Sequence, residues 1–401
     1  MNKKTSLPLL VGALSLLAAG AQAASGPQQR SLRALSMGNA FVALVDDKDA
    51  LYYNPAGLDL INTLGNASAR PGLAAYPRNR LNARVNLIGS AVPIGEANDF
   101  YGFFKDHKKG LKGGLDGMRS DSTLFDDMAQ FDRKPIELGF FNGLEFAMHD
   151  YGAAVWSDSR VAPYADVGVL LPQGGIKTIE LDAVFQAAAA HPFLNNRLSV
   201  GAGYRLANRQ TVHDYQIAAS SFTDGGDEVR DEVLDTLSEK LAGLSDFSSW
   251  GHAVDVGALW QQTTWLRFGA SLQNFGMYLN HEFVTPEFTA GAVVTPPLLS
   301  TGGMFARKVN VALDLEDLFN DERNYKPLSK VNVGAEVEQD LWWVASLRLG
   351  AGFKGGYWTA GTGLSLFSAV HIEAATWAEE GGYYTGQVEN RFYAFRVGVG
   401  L

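Results

Sequence analysis

From about residue 63 onward, apolar and polar residues alternate with period two over segments of about ten residues, punctuated by Asn, Asp, Gly or Pro. In "TWLRFGASLQNF", Leu266, Phe268, Ala270 and Leu272 point one way and Arg267, Gly269, Ser271 and Gln273 the other. "WVASLRLGAGFK" sets Trp343, Ala345, Leu347, Leu349, Ala351 and Phe353 against Ser346, Arg348, Gly350, Gly352 and Lys354. "RLSVGAGYRL", "VNVALDLE" and "VNVGAEVE" repeat the scheme, with Arg205, Asp314 and Glu336 on their polar sides. The pattern predicts roughly fourteen to sixteen β-strands, each near the length that a tilted strand needs to cross a bilayer.

A soluble sandwich would hide the apolar face in a core, whereas a membrane barrel shows it to lipid and turns the small and polar face inward. Three features select an all-β fold built as a transmembrane antiparallel β-barrel of about fourteen strands. The strands are many, and the polar face is rich in Gly and in charges of both signs. Aromatics sit at segment ends (Trp260, Trp265, Tyr278, Trp342, Trp343, Tyr357, Trp358, Trp377), where interfacial girdles belong. The chain closes on "RFYAFRVGVGL", an alternating strand that ends in Leu401 and is read as pairing with the first strand to seal the barrel.

The N-terminus does not follow this rhythm. Lys3 and Lys4 precede the apolar run Leu7–Leu17 and the A-x-A site Ala21-Gln22-Ala23, so residues 1–23 read as a secretory signal peptide. Residues 24–62 are then read as a small helical hatch within the barrel at 63–401, because a barrel this wide needs a plug or becomes a pore. In "DDKDALYYNPAGL", Asp47 offers an N-cap side chain and Asn54, preceding proline, ends the helix. Pro55-Ala56-Gly57 is expected to turn the chain toward the wall, and Gly38 marks the start of the unit.

Composition narrows the function. The chain has no Cys, so an exported fold must stand without disulfides. Its formal charge of −10 becomes −12 once the two signal-peptide Lys are removed, which argues against a nucleic-acid partner. "GAGFKG" at 350–355 fits G-x-G-x-x-G but leads into another strand, so it is not a dinucleotide site. No G-x-S-x-G, metal-spaced His pair or Cys nucleophile occurs. The sequence gives no reason to expect an enzyme, a cofactor or a metal.

"SMGNAFVALVDDKDALYYNPAGL" resembles the N-terminal signature of the FadL-like outer-membrane proteins, the long-chain fatty acid transporter superfamily, which includes the PorV-like proteins of secretion systems. Met37-Gly38, Asp46-Asp47 and Asn54-Pro55-Ala56-Gly57-Leu58 carry the likeness. Residues 255–276 and 347–364 are similar to barrel strands of the PorV-like and uncharacterised branches. The resemblance implies a fourteen-stranded barrel with an N-terminal hatch in the outer membrane of a Gram-negative bacterium. It leaves the cargo open.

The expected function is passive uptake of hydrophobic small molecules, with fatty acids or similar lipids the family default. The alternative is a PorV-like barrel that anchors exported proteins, with secretion-system proteins as partners. Phe41, Leu44, Leu51, Tyr52 and Leu58 are the expected ligand-facing hatch side chains, and Gly38, Asp47, Asn54, Pro55, Ala56 and Gly57 set hatch geometry. The inward polar set is Arg205, Asp255, Arg267, Asp314, Glu336, Arg348, His371, Glu373 and Arg396, read as a network of paired charges. Two insertions carry apolar residues at helical spacing: Leu111, Leu115, Met118, Leu124, Met128 and Phe131 within 100–133, and Val229, Val233, Leu237, Leu241 and Leu244 within 227–247. In FadL-like transporters such loop elements gather the ligand. Lys105, Lys108, Lys109 and Lys112 offer charge to a carboxylate or lipid phosphate.

Overall fold

The structure, a computed structural model, describes residues 31–61, 82–93, 99, 102–103, 105–109, 120–129, 137–166, 173–217, 235, 250–279, 282–301, 307–318, 330–341, 344–367, 369–380 and 389–400. The signal peptide 1–23, most of both insertions, Trp342, Trp343 and Lys112 lie outside the described residues.

Fourteen antiparallel strands close into a barrel. In chain order they are β1 (Asn82–Val92), β2 (Leu138–Met148), β3 (Tyr151–Asp166), β4 (Gln173–Phe193), β5 (Leu198–Ile217), β6 (Gly251–Gln261) and β7 (Leu266–Phe275). A small hairpin of β8 (Tyr278–Leu279) and β9 (Glu282–Phe283) follows. The wall resumes with β10 (Glu287–Val294), β11 (Arg307–Leu315), β12 (Val331–Leu341), β13 (Ala345–Lys354), β14 (Tyr357–Leu366), β15 (Val370–Glu380) and β16 (Glu389–Gly400). The last strand pairs with the first, from Arg84↔Gly400 to Val92↔Tyr393, so no edge is left unpaired.

The alternation places side chains as expected. On β6, Gly251, Ala253, Asp255, Gly257 and Leu259 are buried inward, while His252, Val254, Val256 and Trp260 are exposed outward. On β16, Phe392, Ala394, Arg396 and Gly398 face in, and Tyr393, Phe395 and Val399 face out. The wall thus turns an apolar surface outward, as a membrane-spanning barrel requires. The aromatic girdle needs one correction. Trp260, Trp265 and Trp358 are exposed, but Tyr357 and Trp377 are buried and share the inward parity of Thr359 and Glu373.

Strand order also settles orientation. Residues 149–150, 194–197 and 262–265 turn tightly at the end where β1 begins and β16 finishes. Both insertions fall in connections at the opposite end, residues 93–137 and 218–250. Short turns mark the periplasmic side of such barrels and long loops the outer side, so both insertions belong to the outer mouth.

Residues 31–61 lie inside the barrel. Ser31 caps the helix α1 (Leu32–Ser36) by accepting from Ala34 N at 3.2 Å. Gly38 and Asn39 end it with φ of 66° and 64°. The next helix, α2 (Ala50–Tyr53), has Asp49 at its N-cap with no side-chain cap bond. Asp47, expected to cap it, instead accepts from Asp49 N at 2.9 Å, one step before the helix. Asn54 stops α2 in extended conformation as expected, but Pro55-Ala56-Gly57 is not a tight turn. Asn54 Oδ1 accepts from Ala56 N at 3.1 Å and Pro55 presets the first dihedral, so the chain winds on as a 3-10 helix from Pro55 to Leu60.

Candidate functional site

The candidate site is the seat of this N-terminal segment in the barrel. Its hold begins with glycine. Gly201, Gly257, Gly269, Gly334, Gly350, Gly352 and Gly361 all face inward, and a Cβ on any of them would overlap the segment. At Gly269 it would lie 2.6 Å from Val42 O, and at Gly361 2.6 Å from Ser36 Cβ. The glycine-rich inner face is therefore a docking surface for backbone, a role the alternation alone did not show. Gly38 meets the same constraint from the other side, since a side chain there would press on the backbone of Val333 and Phe353.

Charge fixes the register. Arg33, fully inside, grips Glu336 of β12 with two guanidinium nitrogens at 2.7 Å each, and reaches Asp46 and Asp47 at 2.7 Å. Lys308 of β11 pairs with Asp46 from the wall. Lys48 joins Asp49 at 2.5 Å and Glu145 of β2 at 2.9 Å. Asp314 accepts from Phe41 N at 2.5 Å and Val42 N at 2.7 Å, and Arg267 donates to Ala43 O at 2.6 Å and Leu44 O at 2.8 Å. Opposite charges in a low-dielectric interior are tolerated only when paired and hydrogen-bonded in this way.

The expected polar set divides in two. Arg267, Asp314 and Glu336 touch the segment directly. The others pair within the wall: Arg205 with Asp255 at 2.8 Å, Arg396 and Arg84 with Glu373 at 2.8 and 3.0 Å, Arg348 with Glu336 at 3.5 Å, and His371 with Ser365 at 2.9 Å. Sequence reading missed Lys308, Gln186, Gln273 and Thr359. Gln186 donates to Leu51 O at 2.5 Å, Gln273 to Tyr52 O at 2.5 Å and Thr359 to Ser36 O at 3.1 Å. Their inward parity was the available signal. A cavity of about 10 Å³, room for one water, lies between α1 and β13–β15, against Arg33, Ser36, Arg348 and Glu373.

Asn54 is the wedge. Its amide nitrogen donates to Val42 O at 2.9 Å within the segment, and to Ala258 O at 3.2 Å and Ala270 O at 3.3 Å on the wall. Asn54→Ala should weaken seating by about 1–3 kcal/mol, the cost of stranding buried carbonyls. Hydrogen exchange should rise across residues 31–61 while the barrel strands keep their protection.

Phe41, Leu44, Leu51, Tyr52 and Leu58 are all buried in packing between the segment and the wall. Tyr52 donates to Glu145 at 2.9 Å and meets Trp156 edge-on, with ring centroids 6.1 Å apart. A second apolar cluster lies nearer the outer mouth. Phe141, Trp377 and Phe392 face inward and join Leu32 and Leu35 of α1, with Trp377 and Phe392 stacked at 5.5 Å. Beside it, β1 slips register against both neighbours between Asn86 and Ser90.

Part of the first insertion is described. The helix α3 (Leu124–Ala129) buries Leu124, and buried His107 contacts Asp121 at 2.8 Å and Asp127 at 3.0 Å. Burial acts to lower the His107 pKa, but the two carboxylates outweigh it and hold it raised. Lys105, Lys108 and Lys109 are exposed.

No protein-family model matches the chain, and no curated protein sequence matches it. Among solved structures, the chain is similar to the CymD monoaromatic hydrocarbon channel at 11% identity, over 94% of this chain and 98% of that one, with a TM-score of 0.43. It is similar to the P. putida toluene transporter TodX at 11% identity, over 93% and 97% of the two chains, with a TM-score of 0.41. A Rhodopseudomonas blastica porin follows at 8%, over 80% and 98%, with a TM-score of 0.26. Likenesses this distant carry no argument about cargo, which rests on the residues of this chain.

Proposed function

We propose that this protein is a channel of a bacterial outer membrane for passive uptake of hydrophobic small molecules, with Ser31–Ile61 as its hatch. One observation carries the reading. Phe141, Trp377 and Phe392 build a buried apolar cluster between the inner wall and the outer side of α1, where the wall of a purely aqueous pore would carry polar groups. A hydrophobic molecule entering from the insertion-bearing mouth would reach this cluster as α1 of the hatch shifts.

The hatch is held by ion pairs, hydrogen bonds and glycine contacts, so it can shift without breaking a covalent bond. The slipped register of β1 offers a lateral route beside the same cluster. Long-chain fatty acids fit as cargo, their tails on the aromatic cluster and their carboxylates met by Lys105, Lys108 or Lys109 at the mouth.

Phe392→Asp should cut uptake of a fluorescent long-chain fatty acid by about tenfold or more, the scale of losing one buried aromatic contact. Uptake would be measured in vesicles holding the folded, heat-modifiable variant. Undiminished uptake would remove the apolar surface from the route.

A further inference from the structure

The short-turn end of the barrel carries a constellation that the uptake reading does not use. Asp59 lies in the last turn of the 3-10 helix and is buried. His149 and Asp150 form the two-residue connection between β2 and β3. One ligand atom from each of the three converges, all within 4.8 Å of one another. Among the described residues it is the one group of three or more His, Asp or Glu side chains that does so.

The hydrogen bonds around the three residues set their aim. His149 Nδ1 lies 3.0 Å from Ile61 O, and a carbonyl can only accept, so Nδ1 carries the proton. The other ring nitrogen, Nε2, faces Asp150 Oδ2 at 3.7 Å. That separation is too long for a hydrogen bond and leaves room for an ion held by both groups. A cation bound by both would bridge the gap. A histidine that gives its far N–H to a backbone carbonyl is the arrangement that orients imidazole toward a metal. Asp59 is steadied in turn by the hydroxyl of Ser199. The frame is rigid, since Asp150 N donates to Leu58 O at 3.1 Å and Ala190 N to Asp150 O at 2.8 Å.

We propose that Asp59, His149 and Asp150 bind a divalent transition-metal cation, Zn²⁺ in the first instance, which clasps the N-terminal segment to the β2–β3 turn. One imidazole and two carboxylates suit Zn²⁺, with water at the remaining position. Zn²⁺ ligand atoms at about 2.1 Å from the metal sit about 3.5 Å apart. The site therefore needs a contraction of about an ångström, within reach of the partly exposed His149 and Asp150 side chains. Asp59 belongs to the segment and the other two to the wall, so the ion binds only the seated state. Mass action then favours seating as metal rises. The clasp is independent of what the channel carries.

The test uses the full-length protein in mild detergent, stripped with chelator and titrated with ZnCl₂ by calorimetry, with metal content read by mass spectrometry. One Zn²⁺ per chain is expected. His149→Ala should weaken binding on the order of 100-fold or more, and the isosteric Asp150→Asn and Asp59→Asn should each weaken it markedly. His107→Ala, which removes a separate histidine–carboxylate cluster, should leave it intact. Heat-modifiable migration of each variant confirms a closed barrel. No uptake of Zn²⁺ by the stripped protein would overturn the proposal. So would binding that survives His149→Ala in a folded barrel, or that vanishes with His107→Ala.

Discussion

Gly334→Val should unseat the N-terminal segment while leaving the barrel closed. Gly334 faces inward on β12, and any Cβ there would overlap the carbonyl oxygen of Met37. The obstacle is backbone, so no rotamer change relieves it. Met37 is itself locked between Ser36, bonded to Thr359, and Phe41, whose amide is held by Asp314. Overpacking a site of this kind costs about 1–3 kcal/mol, and more where neither side yields. The strand does not suffer. Gly334 pairs with Ala312 and Gly352 through backbone bonds that valine keeps, and β-branched residues suit strands. In planar bilayers the variant should show large, long-lived conductance steps, and a protease should cut within residues 31–61. Ala335→Val, on the outward face of the same strand, should do neither.

Arg33→Met should have an effect of similar size by a different route. Arg33 neutralises Glu336, Asp46 and Asp47 at once, and all but Asp47 are almost wholly shut from solvent. Methionine keeps much of the bulk but takes away the one cation that contacts all three carboxylates, leaving Lys308 on Asp46 and Arg348 on Glu336. Removing one partner from a buried ionic cluster costs about 3–5 kcal/mol, because the remaining charge has lost its compensation. The segment, not the wall, should bear the loss, since Glu336 can be hydrated once the segment leaves. Chemical denaturation followed at the segment should therefore shift while heat-modifiability of the barrel is kept. Arg33→Lys should recover only part of the loss, because an ammonium cannot grip Glu336 through two nitrogens.

Much of the fold was legible because a membrane barrel writes its two faces into alternate residues. The parity of Leu349 and Phe353 against Arg348 and Lys354 sufficed to say which side each faced. Parity also held the answer at Trp377, four residues beyond inward Glu373, where a general rule about aromatic strand ends was given more weight than the local count. That the N-terminal segment halts its second helix at Asn54 was legible from Asn54-Pro55. Its winding beyond Pro55 was not, because a Pro-Ala-Gly stretch suits a turn and a 3-10 start alike.

The seat itself was hardest to read. Gly201, Gly257, Gly334 and Gly350 look like a crowded polar lining in the sequence, and only the closed barrel shows that chain positions about 150 to 310 residues away fill the space they leave. The same holds for the Phe141–Trp377–Phe392 cluster, assembled from β2, β15 and β16 once β16 closes on β1. The placement of both insertions at one mouth likewise required the strand count.

The most direct measurement locks the segment in place. The chain contains no cysteine, so a single engineered disulfide would be unambiguous. Ser36 and Gly350 suit it. A Cβ on Gly350 would lie 3.0 Å from Ser36 Cβ, and a small relaxation brings the pair to the roughly 3.8 Å of a disulfide. The Ser36→Cys, Gly350→Cys protein would be reconstituted in vesicles and assayed for uptake of a hydrophobic probe before and after reduction. If the segment is the gate, the oxidised protein is closed and reduction restores uptake. Equal uptake in both states, with the bridge verified by mass, would show that cargo does not pass by moving this segment.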